Sequence, residues 1–493
     1  MTRAWSGFYG PSVTPTVFTQ TNDAYDAPVG ARVLGQSVDD QFGTALSADS
    51  TWLYIAAPQH TATPEDVPAL GGQTRPQAGV VYQYRVSTAT AQGLPTRSQL
   101  WLEPGQVWPN PDSELPDRVD FTMPVPHQYI IETIGSMRGD RSLNEEDWTV
   151  AATECTDAVT TESLCDAWGV VPYEPYPVGT SGYYMDRTPQ IVGPHDDARI
   201  STVRALGDLN DDGIADFAIG SPYIKDADES GSFRGAVVGS IFIVFGRATG
   251  LEGDYLLDRL ALPAGNANRL HGVLLQGSST QAKLARVIDD AGDFNGDGID
   301  DVIVGSENGA DGKGEAIVIF GSATLESPAG GYTVDGIVAA GRALRFVGEN
   351  AGDMAGANVA GIGDMNGDGY SDIVIAAPEA DGGKGKVYLI YGSEDFDGEI
   401  QLADVGTVNV IGAVFAGRVA GDKLGGGVKT VSGTDPSAGS TTVNSRGVTR
   451  LGDIDGDGLA DFAISAILAD PGDGVNNKTD AGEVYIIYGQ AGP

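Results

Sequence analysis

The sequence predicts an all-β chain, a β-propeller of four-stranded antiparallel blades, and three observations carry that expectation. An acidic loop leading into a short apolar run occurs four times. A glycine-led run of alternating apolar residues follows each copy, and no sustained 3.6-residue period lies between them. Self-similarity at long spacing is weighed first because it sets the architecture.

The four copies read GDLNDDGIADFAIGSP from Gly207, GDFNGDGIDDVIVGSE from Gly292, GDMNGDGYSDIVIAAP from Gly363 and GDIDGDGLADFAISAI from Gly452. Their leading aspartates, Asp208, Asp293, Asp364 and Asp453, are 85, 71 and 89 residues apart, one structural unit per interval. The second landmarks are GAVVGSIFIVFG from Gly235, GKGEAIVIFG from Gly312, GKGKVYLIYG from Gly383 and AGEVYIIYG from Ala481. Branched and aromatic residues at period two, bounded by glycines, indicate strands. Connecting segments such as YTVDGIVAAGRALRFVG from Tyr332 add strand material, giving four short strands per unit.

Two weaker copies lie upstream. DDQFGTALSADSTWLYIAAP from Asp39 lacks the acidic loop but is followed by GVVYQYRV from Gly79; GSMRGDRSLNEEDWTVAA from Gly135 keeps Asp140, Asn144 and Asp147 without the loop glycine. Six repeats are thus recognisable, with seven blades as the alternative. Four-stranded sheets repeated radially make a propeller, whereas an open solenoid would need capping ends. The segment ARVLG at 31–35 is expected to complete the last blade. The expected organisation is an N-terminal extension over 1–29 and a propeller over 30–490, with insertions at 86–128 and 155–195.

Composition narrows the function. Asp and Glu number 68 against 29 Lys and Arg, a formal net charge of -39 in 493 residues, which repels nucleic acid and anionic membrane surfaces and attracts cations. Hydrophobic content of 41% suffices for a core, and no apolar run reaches the ~18 residues of a membrane span. The first twenty residues hold no apolar stretch of the secretory-signal kind. The two cysteines, Cys155 and Cys165, would close a short disulfide loop in an exported protein, adding about 2 to 3 kcal/mol, and would stay two unpaired thiols in a cytosolic one.

These residues resemble the FG-GAP repeats of the integrin α-subunit propeller and its bacterial relatives. Phe42 and Gly43 stand at the FG element; Ala56, Ala57 and Pro58, then Gly220, Ser221 and Pro222, then Ala376, Ala377 and Pro378, stand at the GAP element. The resemblance covers residues 30–490 and departs from the family in blade number, since the family's propeller usually has seven. It implies an extracellular or cell-surface adhesion module, although similar propellers also act as lectins or carry lyase chemistry.

Calcium takes carboxylate, carbonyl and water oxygens in a flexible geometry. Positions 1, 3, 5 and 9 of each loop offer side-chain oxygens: Asp208, Asn210, Asp212 and Asp216; Asp293, Asn295, Asp297 and Asp301; Asp364, Asn366, Asp368 and Asp372; Asp453, Asp455, Asp457 and Asp461. Position 7 offers a backbone carbonyl from Ile214, Ile299, Tyr370 or Leu459, and glycine at position 6 permits the sharp turn. An EF-hand would need a bidentate Glu at position 12, where Ile219, Val304, Ile375 and Ile464 stand instead. Four calcium ions in a structural role are therefore expected. Magnesium, which prefers a stricter octahedron, and a metal-free Asx-turn hairpin are the competing readings.

Arg138, Gly139 and Asp140 spell a tripeptide that integrins recognise, a three-residue match of little weight. The second insertion carries Trp168, Tyr173, Tyr176, Tyr183 and Tyr184, and Trp101 and Trp108 lie in the first. Aromatics on loops can stack on sugars or anchor a protein, and more often pack the loop. Four histidines, His60, His127, His195 and His271, form no HExxH pair, and no GxSxG elbow or phosphate loop occurs. The expectation is a calcium-stabilised module binding a protein or glycan, with a polysaccharide-active enzyme or a structural subunit of a surface assembly as alternatives. The enzyme question stays open, leaning to no.

Overall fold

In the computed structural model the described residues are 41–85, 190–431 and 441–491, save for 50, 51, 65, 66, 248–250, 252, 253, 281 and 472–479, with four two-residue strands before residue 26. The chain divides into two compact units. The first comprises residues 1–34, 50–53 and 83–189; its described residues include Arg3–Ala4 paired with Val17–Phe18 and Gln20–Thr21 paired with Ala24–Tyr25. The repeat expected at Gly135, the Arg138 tripeptide, the cysteine pair, the insertion aromatics and the segment at 31–35 lie outside the described residues.

The second unit, residues 35–49, 54–82 and 190–493, holds the repeats. Among the described residues it is all-β, with several sheets and a few helices of six residues or fewer. The four acidic-loop repeats each build one sheet. The first strands are Thr202–Ala205, Leu284–Gly292, Asn358–Gly363 and Val448–Gly452; the second strands are Phe217–Ser221, Asp301–Ser306, Asp372–Ala377 and Asp461–Ala466. The glycine-led runs form the third strands, Ser240–Val244, Glu315–Ile319, Lys386–Ile390 and Glu483–Ile487, each antiparallel to the second. Three of these sheets gain an antiparallel fourth strand, Gly272–Gln276, Ala343–Val347 and Gly412–Ala416. An upstream sheet carries Ala45–Ala48, Trp52–Ala57, Val80–Arg85 and Gln190–Val192 in that order. Its fourth strand, Gln190–Val192, comes from the tail of the stretch read as an insertion, because the edge of Val80–Tyr82 is paired only once the chain returns.

Periodicity did not disclose a further strand. After the third strand of a sheet, the chain runs back along the outer strand of the sheet before it and pairs in parallel. Asp254–Leu256 joins Gln190–Val192, Tyr332–Thr333 joins Gly272–Gln276, and Glu399–Gln401 joins Ala343–Val347. A short helical turn follows each time: Leu257–Ala261, Val334–Ala339 and Leu402–Asp404. Three sheets thereby have five strands rather than four. The lacing covers an outer edge whose N–H and C=O groups would otherwise be open to pairing with another chain. The fifth repeat is interrupted by an unforeseen hairpin, Gly426–Val431 with Thr441–Arg446, and its own sheet has three strands among the described residues.

The sheets pack face to face in sequence order. One buried cluster joins Ile243 and Leu275 to Ile288, Val304 and Ile317; the next joins Ile303 and Phe346 to Ile375 and Tyr388; a third joins Val374 and Leu389 to Phe462 and Ile464. Alternating strand residues supply both faces, so each sheet is buried on two sides. First strands of successive sheets also touch one another, from Ala45–Ala48 through to Val448–Gly452. This succession is consistent with blades of a propeller.

The FG and GAP elements now acquire a physical meaning. The residue at the FG glycine donates its N–H to the carbonyl of the first GAP residue: Gly43 to Ala56 (3.0 Å), Ser201 to Gly220 (3.2 Å), Gly356 to Ala376 (3.0 Å) and Gly425 to Ser465 (2.9 Å). The GAP position must also be small, because the next sheet presses on it. A Cβ added at Gly305 would sit 2.1 Å from the Gly356 carbonyl oxygen. Replacement Gly305→Val is expected to destabilise the unit by about 3 kcal/mol, since the clash is with backbone and cannot be relieved by a rotamer change. A thermal melt within a degree of the parent would contradict that packing.

Candidate metal centre

Each acidic loop joins the first strand of its sheet to the second, and the four are wired alike. The position-1 aspartate closes the turn. Asp208 accepts from the N–H of Asp212 (3.1 Å) and Gly213 (2.6 Å), Asp293 from Gly296 (2.7 Å) and Gly298 (3.0 Å), Asp364 from Gly367 (2.6 Å) and Gly369 (2.9 Å), and Asp453 from Gly456 (2.6 Å) and Gly458 (2.9 Å). The position-5 carboxylate accepts from the N–H of position 7: Ile214 to Asp212, Ile299 to Asp297, Tyr370 to Asp368 and Leu459 to Asp457, all at 2.9 Å. In three loops the position-3 amide, Asn210, Asn295 or Asn366, donates to that same position-5 carboxylate. In the fourth loop position 3 is Asp455, and Asp453, Asp455 and Asp461 bring carboxylate oxygens within 4.8 Å of one another.

Position 9 differs in kind. Asp216, Asp301, Asp372 and Asp461 are all fully buried. One oxygen of each accepts the N–H of position 2, from Leu209 (3.0 Å), Phe294 (3.0 Å), Met365 (2.8 Å) or Ile454 (2.8 Å). The other accepts from the glycine that ends the third strand: Gly246 (2.7 Å), Gly321 (2.9 Å), Gly392 (2.9 Å) or Gly489 (2.8 Å). That glycine admits the approach; a Cβ at Gly246 would lie 2.1 Å from the Ala215 carbonyl oxygen. The signal was present in the sequence as the terminal glycine of IVFG, VIFG, LIYG and IIYG, but only tertiary contact shows what it serves.

The loops also rest on one another. Ser371 donates its N–H to the Asp293 carbonyl and Ala460 to the Asp364 carbonyl, both at 2.8 Å. Ser322, Ser393 and Gln490, each following a strand-ending glycine, donate to Leu209, Phe294 and Met365 in the preceding loop. The sequence-predicted side chains of positions 1, 3 and 5 and the carbonyl-bearing residues Ile214, Ile299, Tyr370 and Leu459 therefore lie in loops at corresponding ends of successive sheets, and position 9 lies at or just before the start of the second strand. Burial pushes the position-9 carboxyls up, Asp216 to about 7, Asp301 to about 8 and Asp372 to about 7, against the pull of their backbone amide donors. Neighbouring loop aspartates push in the same direction as burial. A group of oxygens whose ionised form is disfavoured by burial and like charge is one that a cation would stabilise.

Outside the loops, His195 accepts the Lys225 N–H at Nε2 (3.0 Å), and burial holds its pKa below the ordinary value. His60 is buried beside Tyr82, and His271 meets Glu326 at 3.1 Å. These are separate packing environments. Among the described residues no helix is long and apolar enough to cross a membrane.

Comparison with known proteins agrees with this repeat. A family model described as FG-GAP repeat matches residues 355–390, the stretch from the FG element of the fourth sheet through its acidic loop to the end of its third strand. Integrin alpha-4 of Xenopus laevis is 28% identical over 184 residues, 36% of this chain and 14% of that protein. Integrin alpha pat-2 of Caenorhabditis elegans is 27% identical over 252 residues, 45% and 18% respectively, and its Caenorhabditis briggsae counterpart 30% over 210 residues, 36% and 16%. The chain spans less than a fifth of the length of these curated relatives. The chain thus carries a stretch similar to the FG-GAP repeat and is similar, over part of its length, to integrin α proteins.

The raised carboxyls set a pH dependence for the metal-free chain. Their folded pKa values exceed the unfolded value near 3.8, so the folded state holds protons that the unfolded state has released. Their contribution is complete below about pH 4 and is lost as pH rises through 7 to 8. In excess chelator, stability should fall between pH 5.5 and 8 by on the order of 1 kcal/mol per unit, read by denaturant melts. A stability that rises over that window would refute the burial of these groups.

Proposed function

We propose that the chain is an extracellular, calcium-stabilised adhesion module on a β-propeller scaffold, holding four ions in its acidic loops and binding a protein ligand. The observation that carries it is the fourfold recurrence of one wiring scheme, with a buried position-9 aspartate behind an exposed acidic turn. FG-GAP, integrin α-like proteins typically bind divalent cations, which supports the same reading. In each loop the ion would be held by the side chains of positions 1, 3, 5 and 9 and the carbonyl of position 7, for example Asp364, Asn366, Asp368, Asp372 and Tyr370. A mixed set of carboxylate, amide and carbonyl oxygens suits calcium in preference to the stricter octahedron of magnesium. Its chemistry there is charge neutralisation. Each ion would offset three or four carboxylates and tie the first strand, the second strand and, through position 9, the third.

Support for the adhesion step is the relatives' nature as integrin α-chains, whose propeller this chain resembles. Glycan binding, a lyase-like activity and a structural role in a surface assembly have no comparable support among the described residues. Two measurements test the proposal. Chelation should lower the melting temperature by more than ten degrees, with about four calcium ions per chain recovered on readdition, given that ligand binding stabilises by mass action. A matrix-protein and glycan screen should yield a protein ligand retained with calcium and lost without it. Unchanged stability and no bound calcium would remove the ion assignment; retention on glycans alone would replace adhesion with a lectin role.

A further inference from the structure

At the ends of the strands away from the acidic loops, the second unit has an open cavity of 1140 Å³. Its lining comes from the starts of the first strands and from the residues that follow the second strands, four sheets contributing. In a chain of net charge -39 its charge is inverted: Arg199, Lys283, Arg286 and Arg446 line it against Glu307 and Glu379. Both acids are engaged. Glu307, 1% exposed, pairs with Lys283 at 2.7 Å and with Arg286, while Glu379 pairs with Lys423. Among the lining residues four cations thus stand against two acids, while just outside the lining Asp197 pairs with Arg199 and Asp289 acts on Arg446.

A backbone feature directs these groups. Gln41, Arg199 and Met354 stand three or four residues ahead of the first strand and Lys283 directly ahead of it, in four successive sheets, each left-handed, with φ of 56°, 47°, 58° and 57° in that order. All four line the cavity. Long side chains are uncommon at positive φ, and a strained conformation that recurs is a pointer to function. The fifth sheet's equivalent, Lys423 at φ 56°, is the partner of Glu379. The side chains of Arg199 and Lys283 are each 44% exposed, so they can meet a ligand.

We propose that this cavity seats an acidic peptide segment of a protein partner, its carboxylates meeting Arg199, Lys283, Arg286 and Arg446. The assignment rests on the adhesion reading and deepens it by naming the site and ligand chemistry. Guanidinium groups match carboxylates in a planar, paired geometry. The volume exceeds what one carboxylate fills and suits several residues. The remaining wall mixes aliphatic residues such as Leu46, Val237 and Pro222 with neutral polar ones such as Thr44, Gln59 and Asn358, and its aromatic residue Tyr223 already lies under Arg199 at 5.7 Å. That wall suits peptide side chains and offers little stacking surface for a sugar. At physiological ionic strength the Debye length is about 8 Å, so remote surface acids are screened while groups within the cavity are not.

The test is fluorescence anisotropy on the full, calcium-saturated chain with three probes: a short labelled peptide rich in Asp and Glu, its Asn and Gln counterpart, and a labelled uronate oligosaccharide. Expected is saturable binding of the acidic peptide alone, weakened about tenfold in Arg199→Glu and retained in Arg199→Lys. Arg199 bonds to Gln77 and Asp197 near the surface, and an unchanged melting temperature in Arg199→Glu would verify folding. Equal binding of the amide peptide, an unaffected Arg199→Glu variant, or binding of uronate alone would overturn the proposal. A protein ligand from the matrix screen whose retention survives Arg199→Glu would sink the cavity assignment while leaving the adhesion reading intact. Absence of any protein ligand would sink the adhesion reading itself.

Discussion

The buried carboxylate at position 9 of each acidic loop is the constraint on which the second unit turns. Asp216, Asp301, Asp372 and Asp461 are inaccessible to water, yet each is held by two backbone amides, or three at Asp301, from its own loop and from the end of the third strand. A charge buried with so few donors is costly unless it is protonated or met by a cation. The same group that registers three strands of a sheet thus makes that sheet depend on what occupies the loop. Local turn chemistry and sheet assembly are one problem here rather than two.

Around that constraint the sheets are joined by three kinds of contact. Apolar clusters fill the space between successive sheets, amide bonds run from loop to loop along one end, and parallel strands lace three outer edges to the chain that follows. The first supplies most of the stabilisation through removal of apolar surface from water. The other two are directional, and they fix which sheet follows which. Small residues at the GAP positions are the price of the close approach, as the Gly305 and Gly356 contact illustrates.

The two ends of the strands have opposite electrostatic character. Acidic loops collect at one end; at the other, left-handed residues ahead of the first strands bring Arg199 and Lys283 toward a common cavity. Such segregation follows from the repeat itself. Every unit places its loop and its FG turn at opposite ends of the same pair of strands, so a residue preference at one position is multiplied around the assembly.

The sequence by itself determined what is local and repeated. The spacing of Asp364, Asn366, Asp368 and Asp372, the glycines at Gly367 and Gly369, and the alternation in VYLIYG are short-range patterns, and the structure places them in a loop and a strand as read. What only the tertiary structure decided is non-local. The parallel strands Tyr332–Thr333 and Glu399–Gln401 are too short to leave a periodic signal, and they exist because an open edge in the preceding sheet accepts them. The hairpin from Gly426 to Arg446 was invisible for lack of a matching repeat. Likewise the cationic cavity gathers residues as distant as Arg199 and Arg446, which acquire a common purpose only when the sheets stand side by side. Hydrogen-bonding and steric rules acting within a few residues can be read along the chain; contacts set by the packing of separate sheets cannot.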